Sequence, residues 1–214
     1  MKKSLLSIAL TSLLATTTVV STQASATGIE GLSANIGAVS QYIFRGIEQT
    51  STASASAGLD YELGNFSVGT WAADVEDGLE IDFYGSYGNE LDNGFGYSLG
   101  FTTYQYTGDF DTQYNEINLG ASYKFLSIAY SIGTWEVEAG DDQDYDFLSI
   151  TAEYEGFYAT YGTWGDEFDG DYIELGFGTE IASFDVGVAV IANSKELNGG
   201  QADESLVFSI GKSF

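Results

Sequence analysis

The chain has 214 residues, 32 carboxylates against 6 cations, a formal net charge of −26, and no cysteine, histidine or proline. That balance excludes a basic phosphate-binding footprint, and with it nucleic acid as a partner. The missing residue types exclude a disulfide framework and His-assisted Ser or Asp hydrolysis.

The chain opens with the short basic region Met1-Lys2-Lys3. Leu5–Val20 is apolar with interspersed Ser and Thr, and Ala24-Ser25-Ala26 fits a small-residue cleavage site. Residues 1–26 therefore read as a secretory signal peptide. They are too rich in hydroxyls for a membrane span and lack a stop-transfer flank. Cleavage after Ala26 removes two of the 6 cations and none of the 32 carboxylates, leaving residues 27–214 as one domain of formal charge −28.

From there the pattern has period two and nothing reads as a helix. Twelve strands are predicted over 32–44, 52–62, 66–74, 79–90, 95–106, 115–125, 126–135, 145–155, 157–164, 172–181, 184–193 and 205–214. Ile117, Leu119, Ala121, Tyr123 and Phe125 share one face, against Asn118, Gly120, Ser122 and Lys124. Ile173, Leu175, Phe177, Thr179 and Ile181 likewise oppose Glu174, Gly176, Gly178 and Glu180. Tight connections (Gly64-Asn65, Leu91–Gly94, Phe125-Leu126, Glu155-Gly156, Ala182-Ser183) alternate with mostly longer, mostly acidic ones, as in an up-and-down meander. The absence of proline suits continuous ladders, and 3 Trp, 15 Tyr and 14 Phe argue against disorder.

One face of each strand is apolar, while the other is dominated by Gly, Ser, Thr and Ala with scattered carboxylates. A soluble sandwich shows water a different set, rich in Lys, Glu, Thr and Asn. Small and polar inside with apolar outside predicts an all-β fold, a single antiparallel transmembrane barrel of about twelve strands with short periplasmic turns and longer acidic extracellular loops. Tyr61, Phe66, Phe95, Phe125, Tyr154, Phe157, Phe184 and Phe214 near the short turns, and Tyr42, Phe44, Tyr104, Tyr106 and Tyr145 near the long loops, are expected to form two interfacial belts.

Following the alternation, Asp60, Glu80, Asp82, Glu153, Glu174, Glu180 and Asp185 point inward with hardly a fixed cation among them. Unpaired carboxylates persist where water or counter-ions reach them, which points to a hydrated, cation-favouring lumen. The alternative is a filled bore. Twelve strands enclose a modest width, and Tyr84, Phe147 and Tyr172 also face inward.

Gly-Thr-Trp recurs at Gly69–Trp71, Gly133–Trp135 and Gly162–Trp164, each time ahead of an acidic connection, as a hairpin repeat. Alternation turns Trp71, Trp135 and Trp164 inward as mouth aromatics. They would stand near Glu80 and Asp82, Asp144 and Asp146, and Asp171 and Glu174, suiting organic cations by charge and cation–π contact. The other reading has a bulge flip them outward into a belt. The acidic runs Glu136–Asp146 and Gly165–Tyr172 lack the twelve-position Ca²⁺ loop. They read as solvated loops, with weak divalent bridging to lipopolysaccharide as the other option, and no metal or cofactor is expected. Glycoside hydrolysis by Glu80 and Asp82 has only the abundance of carboxylates in its favour, so the chain is not read as an enzyme.

In the last strand Leu206, Phe208, Ile210 and Phe214 share a face. This resembles the C-terminal strand by which the barrel assembly machinery recognises bacterial outer-membrane proteins, with Lys212 where that pattern is usually apolar. The stretch "SANIGAVSQYIFRGIEQT" (Ser33–Thr50), the Tyr42–Gly46 segment within it and the Gly-Thr-Trp strands resemble the TorF-type porin family of proteobacteria. That resemblance implies a Gram-negative outer-membrane location amid lipid and lipopolysaccharide, and a pore of no established substrate. The functional expectation is a small, cation-leaning channel for hydrophilic solutes. A non-conducting barrel with a structural or surface role is its rival.

Overall fold

The computed structural model describes residues 29–197, 200 and 203–214, so the segment read as a signal peptide and its expected cleavage site lie outside the described residues. The strands are β1 (Leu32–Val39), β2 (Ile43–Phe44), β3 (Ile47–Glu48), β4 (Ser54–Leu63), β5 (Phe66–Val75), β6 (Gly78–Glu90) and β7 (Phe95–Tyr106). They continue as β8 (Tyr114–Tyr123), β9 (Leu126–Trp135), β10 (Gln143–Tyr154), β11 (Phe157–Asp166), β12 (Asp171–Ile181), β13 (Phe184–Asn193) and β14 (Asp203–Ser213).

β1 and β4 to β14 form one closed, wholly antiparallel barrel of twelve strands, each paired with its sequence neighbours, and β1 pairs with both β4 and β14. At the seam Gly37 stands opposite Gly211, and Phe214 exchanges backbone hydrogen bonds with Ala34 at 2.8 and 3.2 Å. Closure leaves no strand edge unpaired.

The pleat sorts the residue types. Leu59, Val68, Phe101, Ile117, Ile132, Leu175 and Phe208 are exposed on the outer surface. Their strand neighbours Gly58, Gly69, Gly100, Asn118, Ser131, Glu174 and Ser209 face the lumen. No second sheet covers the apolar face, so the architecture is a barrel and not a sandwich.

The lumen divides along its axis. Toward the short turns its wall is small and hydroxylated, with Ser67 and Ser86 hydrogen-bonded at 2.7 Å, Thr151 and Thr160 at 2.8 Å, and Ser127 open to solvent. Toward the long connections it is packed, with Ile43, Tyr145, Phe147, Trp164, Tyr172 and Ile191 all buried.

Three expectations are corrected. The first predicted strand, 32–44, leaves the wall after Val39, because residues 42–50 pair with one another. The amide of Tyr42 donates to Thr50 Oγ1 at 2.9 Å and the amide of Gln49 to the Tyr42 carbonyl at 2.8 Å. Strand 115–125 stops at Tyr123, because Lys124 turns the chain with φ 58°. The residues expected in the loop-end belt lie inside: Tyr42, Tyr104 and Tyr145 are 2–4% exposed within the barrel, with Phe44 and Tyr106 packed against them. The four tyrosine hydroxyls find lumen carboxylates, which satisfy them on burial.

Candidate functional site: an arginine hairpin inside the barrel

Each Gly-Thr-Trp repeat places its glycine on the lumen face, where a tyrosine from the following strand lies across it. Gly133 stands in register between Glu116 on β8 and Tyr145 on β10. A Cβ on Gly133 would sit 2.2 Å from the Tyr145 ring, and the ring crosses that space so that its hydroxyl donates to Glu116 at 2.9 Å. Gly69 stands likewise between Asp60 and Tyr84, whose hydroxyl donates to Asp60 at 2.6 Å. Over Gly162 passes Tyr172, stacked on Phe147 at 6.3 Å and 7°.

Into this wall folds the β2–β3 hairpin. Its turn is Arg45-Gly46, with φ of 48° and 84°, the two left-handed residues of a type I′ turn. The turn therefore carries Arg45 at its tip. The tip is fastened by Trp164 Nε1 donating to the Arg45 carbonyl at 3.1 Å and by Asn193 donating to the Gly46 carbonyl. Higher up, the Tyr42 hydroxyl donates to Glu80 at 2.6 Å, and Tyr106 donates to the other oxygen of Glu80 at 2.9 Å. Where the segment leaves the barrel, the Ser51 amide and hydroxyl bond the loop carboxylate of Glu76 and hold it below the ordinary carboxylate range.

Arg45 is 3% exposed and makes a two-pronged pair with Glu116, Nη1 to Oε1 at 2.6 Å and Nη2 to Oε2 at 3.0 Å. Tyr104 and Tyr145 each donate to one Glu116 oxygen at 2.9 Å, and Nη2 also reaches Ser131 at 3.3 Å. The guanidinium carbon lies 4.5 Å from the Phe147 ring, 4.7 Å from Phe44 and 5.6 Å from Trp164. Charge, hydrogen bonds and ring faces thus meet on one group in a dry site.

The structure places the sequence-derived residues as follows. Glu80, Asp82 and Glu174 are fully buried on the lumen face of the packed half. Neither oxygen of Asp82 has a hydrogen-bond partner among the described residues, while Glu174 accepts from Tyr158 at 2.5 Å. Asp60 accepts from Tyr84 and Asn35, and Glu153, Glu180 and Asp185 stand at the solvent-reached turn end, Glu180 directly opposite Asp185. Trp71, Trp135 and Trp164 occupy lumen-face positions, Trp71 edge-on to Tyr42 and Trp135 stacked on Tyr114. Phe208 and Ile210 are exposed on the outer surface. The Phe214 ring lies 5.5 Å from the Lys212 ammonium.

Three carboxylates expected beside the mouth tryptophans are corrected, Asp144 and Asp146 beside Trp135 and Asp171 beside Trp164. Asp144, Asp146 and Asp171 lie on the outer face, accepting from Thr134 at 2.9 Å, Tyr130 at 3.1 Å and Tyr161 at 3.3 Å, because they alternate out of phase with Tyr145 and Tyr172. The inner face also holds a cation, Arg45, that alternation along the wall strands did not reveal. Glu116 was equally missed, although it lies one residue from Ile117 and so falls on the lumen face by the same count.

A closed antiparallel barrel with an apolar exterior and a polar, partly plugged lumen is the class of protein this fold defines. Residues 23–213 match the family described as a bacterial protein of unknown function (Gcw_chp), and the chain belongs to that family. No curated protein matches it. Among solved structures it is similar to a chain from work on in-meso crystallization of membrane proteins, at 10% identity and TM-score 0.60, over 86% of this chain and 83% of that one. It is also similar to the outer membrane protein OpdK of Pseudomonas aeruginosa, at 12% identity and TM-score 0.44, over 87% and 68% of the two chains. A further likeness is to OccAB3 of Acinetobacter baumannii, at 14% identity and TM-score 0.43, over 88% and 66%. The first of these shows a shared barrel fold.

Proposed function

We propose that this chain is a porin-like barrel of the Gram-negative outer membrane that passes small hydrophilic, cationic solutes, with the β2–β3 hairpin as a plug in its mouth. The TorF-type resemblance and an apolar exterior on a closed barrel support the location. The supporting route is export by a cleaved signal peptide and assembly through the strand bearing Phe208, Ile210 and Phe214. The solutes enter between lipopolysaccharide-facing acidic loops.

One observation carries the reading. Among the described residues the lumen wall bears Asp60, Glu80, Asp82, Glu116, Glu153, Glu174, Glu180 and Asp185 and no lysine or arginine of its own. Its cation is on the hairpin. Such a wall holds negative potential and favours cations. The packed mouth favours a second reading, a non-conducting barrel with a structural role.

Planar-bilayer recording separates the two. Wild type should give small or infrequent current steps, and a variant with Gln41–Gln49 replaced by a short Gly-Ser link should give larger, steady ones with a cation-selective reversal potential. Silence from both proteins would end the channel reading, and anion preference would contradict the acidic lumen.

A further inference from the structure

The pocket that holds Arg45 belongs to the wall rather than to the hairpin. Tyr104, Glu116, Ser131, Tyr145, Phe147 and Trp164 come from five consecutive strands, β7 to β11, whose registry is fixed by backbone ladders. Of the groups around the guanidinium only Phe44 is the hairpin's own. Glu116 is held ready by two tyrosine hydroxyls, and Ser131 by its own bond to Asn118 at 2.6 Å, so the acceptors are aimed before any cation arrives.

The pocket also reads only the head of the group. Among the described residues the Arg45 side chain donates only from Nη1 and Nη2, and Nε has no partner. Nothing in that recognition requires the stem to be part of this chain. The wall keeps a further acidic side chain unsatisfied even with Arg45 in place. Fully buried Asp82 stands in register between Trp71 and Tyr104, its oxygens without hydrogen-bond partners. A planar, weakly hydrated, forked cation fits these features better than a compact ammonium, which can neither use both Glu116 oxygens in parallel nor lie flat against Phe147 and Trp164.

We infer that this wall pocket is a guanidinium-recognition site which Arg45 occupies in cis, and that guanidinium-bearing solutes compete for it and release the hairpin. The release of a conducting lumen rests on the channel reading above; the recognition itself does not.

Two measurements test the pocket without any current. In detergent-refolded Arg45→Ala protein, calorimetric titration with methylguanidinium should show saturable binding at one site. Adding Glu116→Gln should weaken it about tenfold, the loss expected when a charge-assisted fork becomes a neutral amide. Methylammonium should bind far more weakly. Absence of saturable binding, or equal binding of methylammonium, overturns the assignment.

Should Arg45→Ala fail to fold, wild type serves. Arg45-Gly46 is a trypsin site buried in the plug, whereas Lys195 is exposed. Methylguanidinium, and not methylammonium, should raise cleavage after Arg45 severalfold relative to cleavage after Lys195 in the same digest, a ratio that cancels inhibition of trypsin. An unchanged ratio overturns the competition. A barrel silent in bilayers would sink the channel reading and leave both of these results standing.

Discussion

At the scale of single residues, Glu116 holds more of the structure than any other side chain in the mouth. It takes both prongs of Arg45 and the hydroxyls of Tyr104 and Tyr145. Removing one partner of such a buried pair strands the other in a dry site, at a cost of about 3–5 kcal/mol. Glu116→Ala should therefore lower the unfolding free energy of the refolded barrel by that order, read as an earlier urea midpoint. A combined Arg45→Met/Glu116→Leu change should recover most of the loss, because apolar packing often replaces a buried pair without net cost. If both proteins unfold at the wild-type midpoint, the pair carries no stability. Gly133 offers a second test. The Tyr145 ring occupies the place of its Cβ, so Gly133→Ala should cost about 1–3 kcal/mol by overpacking. It should also pull the Tyr145 hydroxyl away from Glu116, visible as weaker near-ultraviolet circular dichroism.

At the scale of elements, the hairpins follow turn chemistry. Ala182 and Ser183 both take left-handed backbone, φ 54° and 64°, without glycine or asparagine. The conformation costs a residue with a Cβ on the order of 1 kcal/mol, so replacing the pair by Asn-Gly should stabilise the β12–β13 hairpin by about that much. A midpoint that falls instead would mean the side chains there do something the backbone does not reveal. The Arg45-Gly46 turn uses the same geometry for another end, carrying a cation inward. Strand existence and facing were legible along the wall because one face carries large apolar side chains and the other small or polar ones, and Ile117 to Tyr123 display that plainly. The hairpin was not legible. Tyr42 and Phe44 continue the alternation of Leu32, Ala34, Ile36 and Ala38 like wall residues, and only the barrel's interior, with Glu80, Glu116 and Trp164 waiting, makes inward folding favourable. The Gly-Thr-Trp repeat was visible, but its glycine's purpose needed the facing tyrosine, which lies on another strand.

At the scale of the whole molecule, the two halves of the lumen divide the work. Glu153, Glu180 and Asp185 stand where solvent reaches, while Glu80, Asp82 and Glu174 are buried in the packed half. Under the channel proposal, Glu153→Gln/Glu180→Gln/Asp185→Asn in the hairpin-free protein should shift the reversal potential toward zero, most clearly at low salt, where screening is weakest. No shift would place selectivity elsewhere. The amino-acid order alone determines the barrel, its strand facing and the excess of carboxylates, since each follows from local alternation and a count of charges. The plug and the pairing of Arg45 with Glu116 became visible only in three dimensions. They depend on which side chains distant strands bring within hydrogen-bond reach, and closure of the cylinder sets those distances.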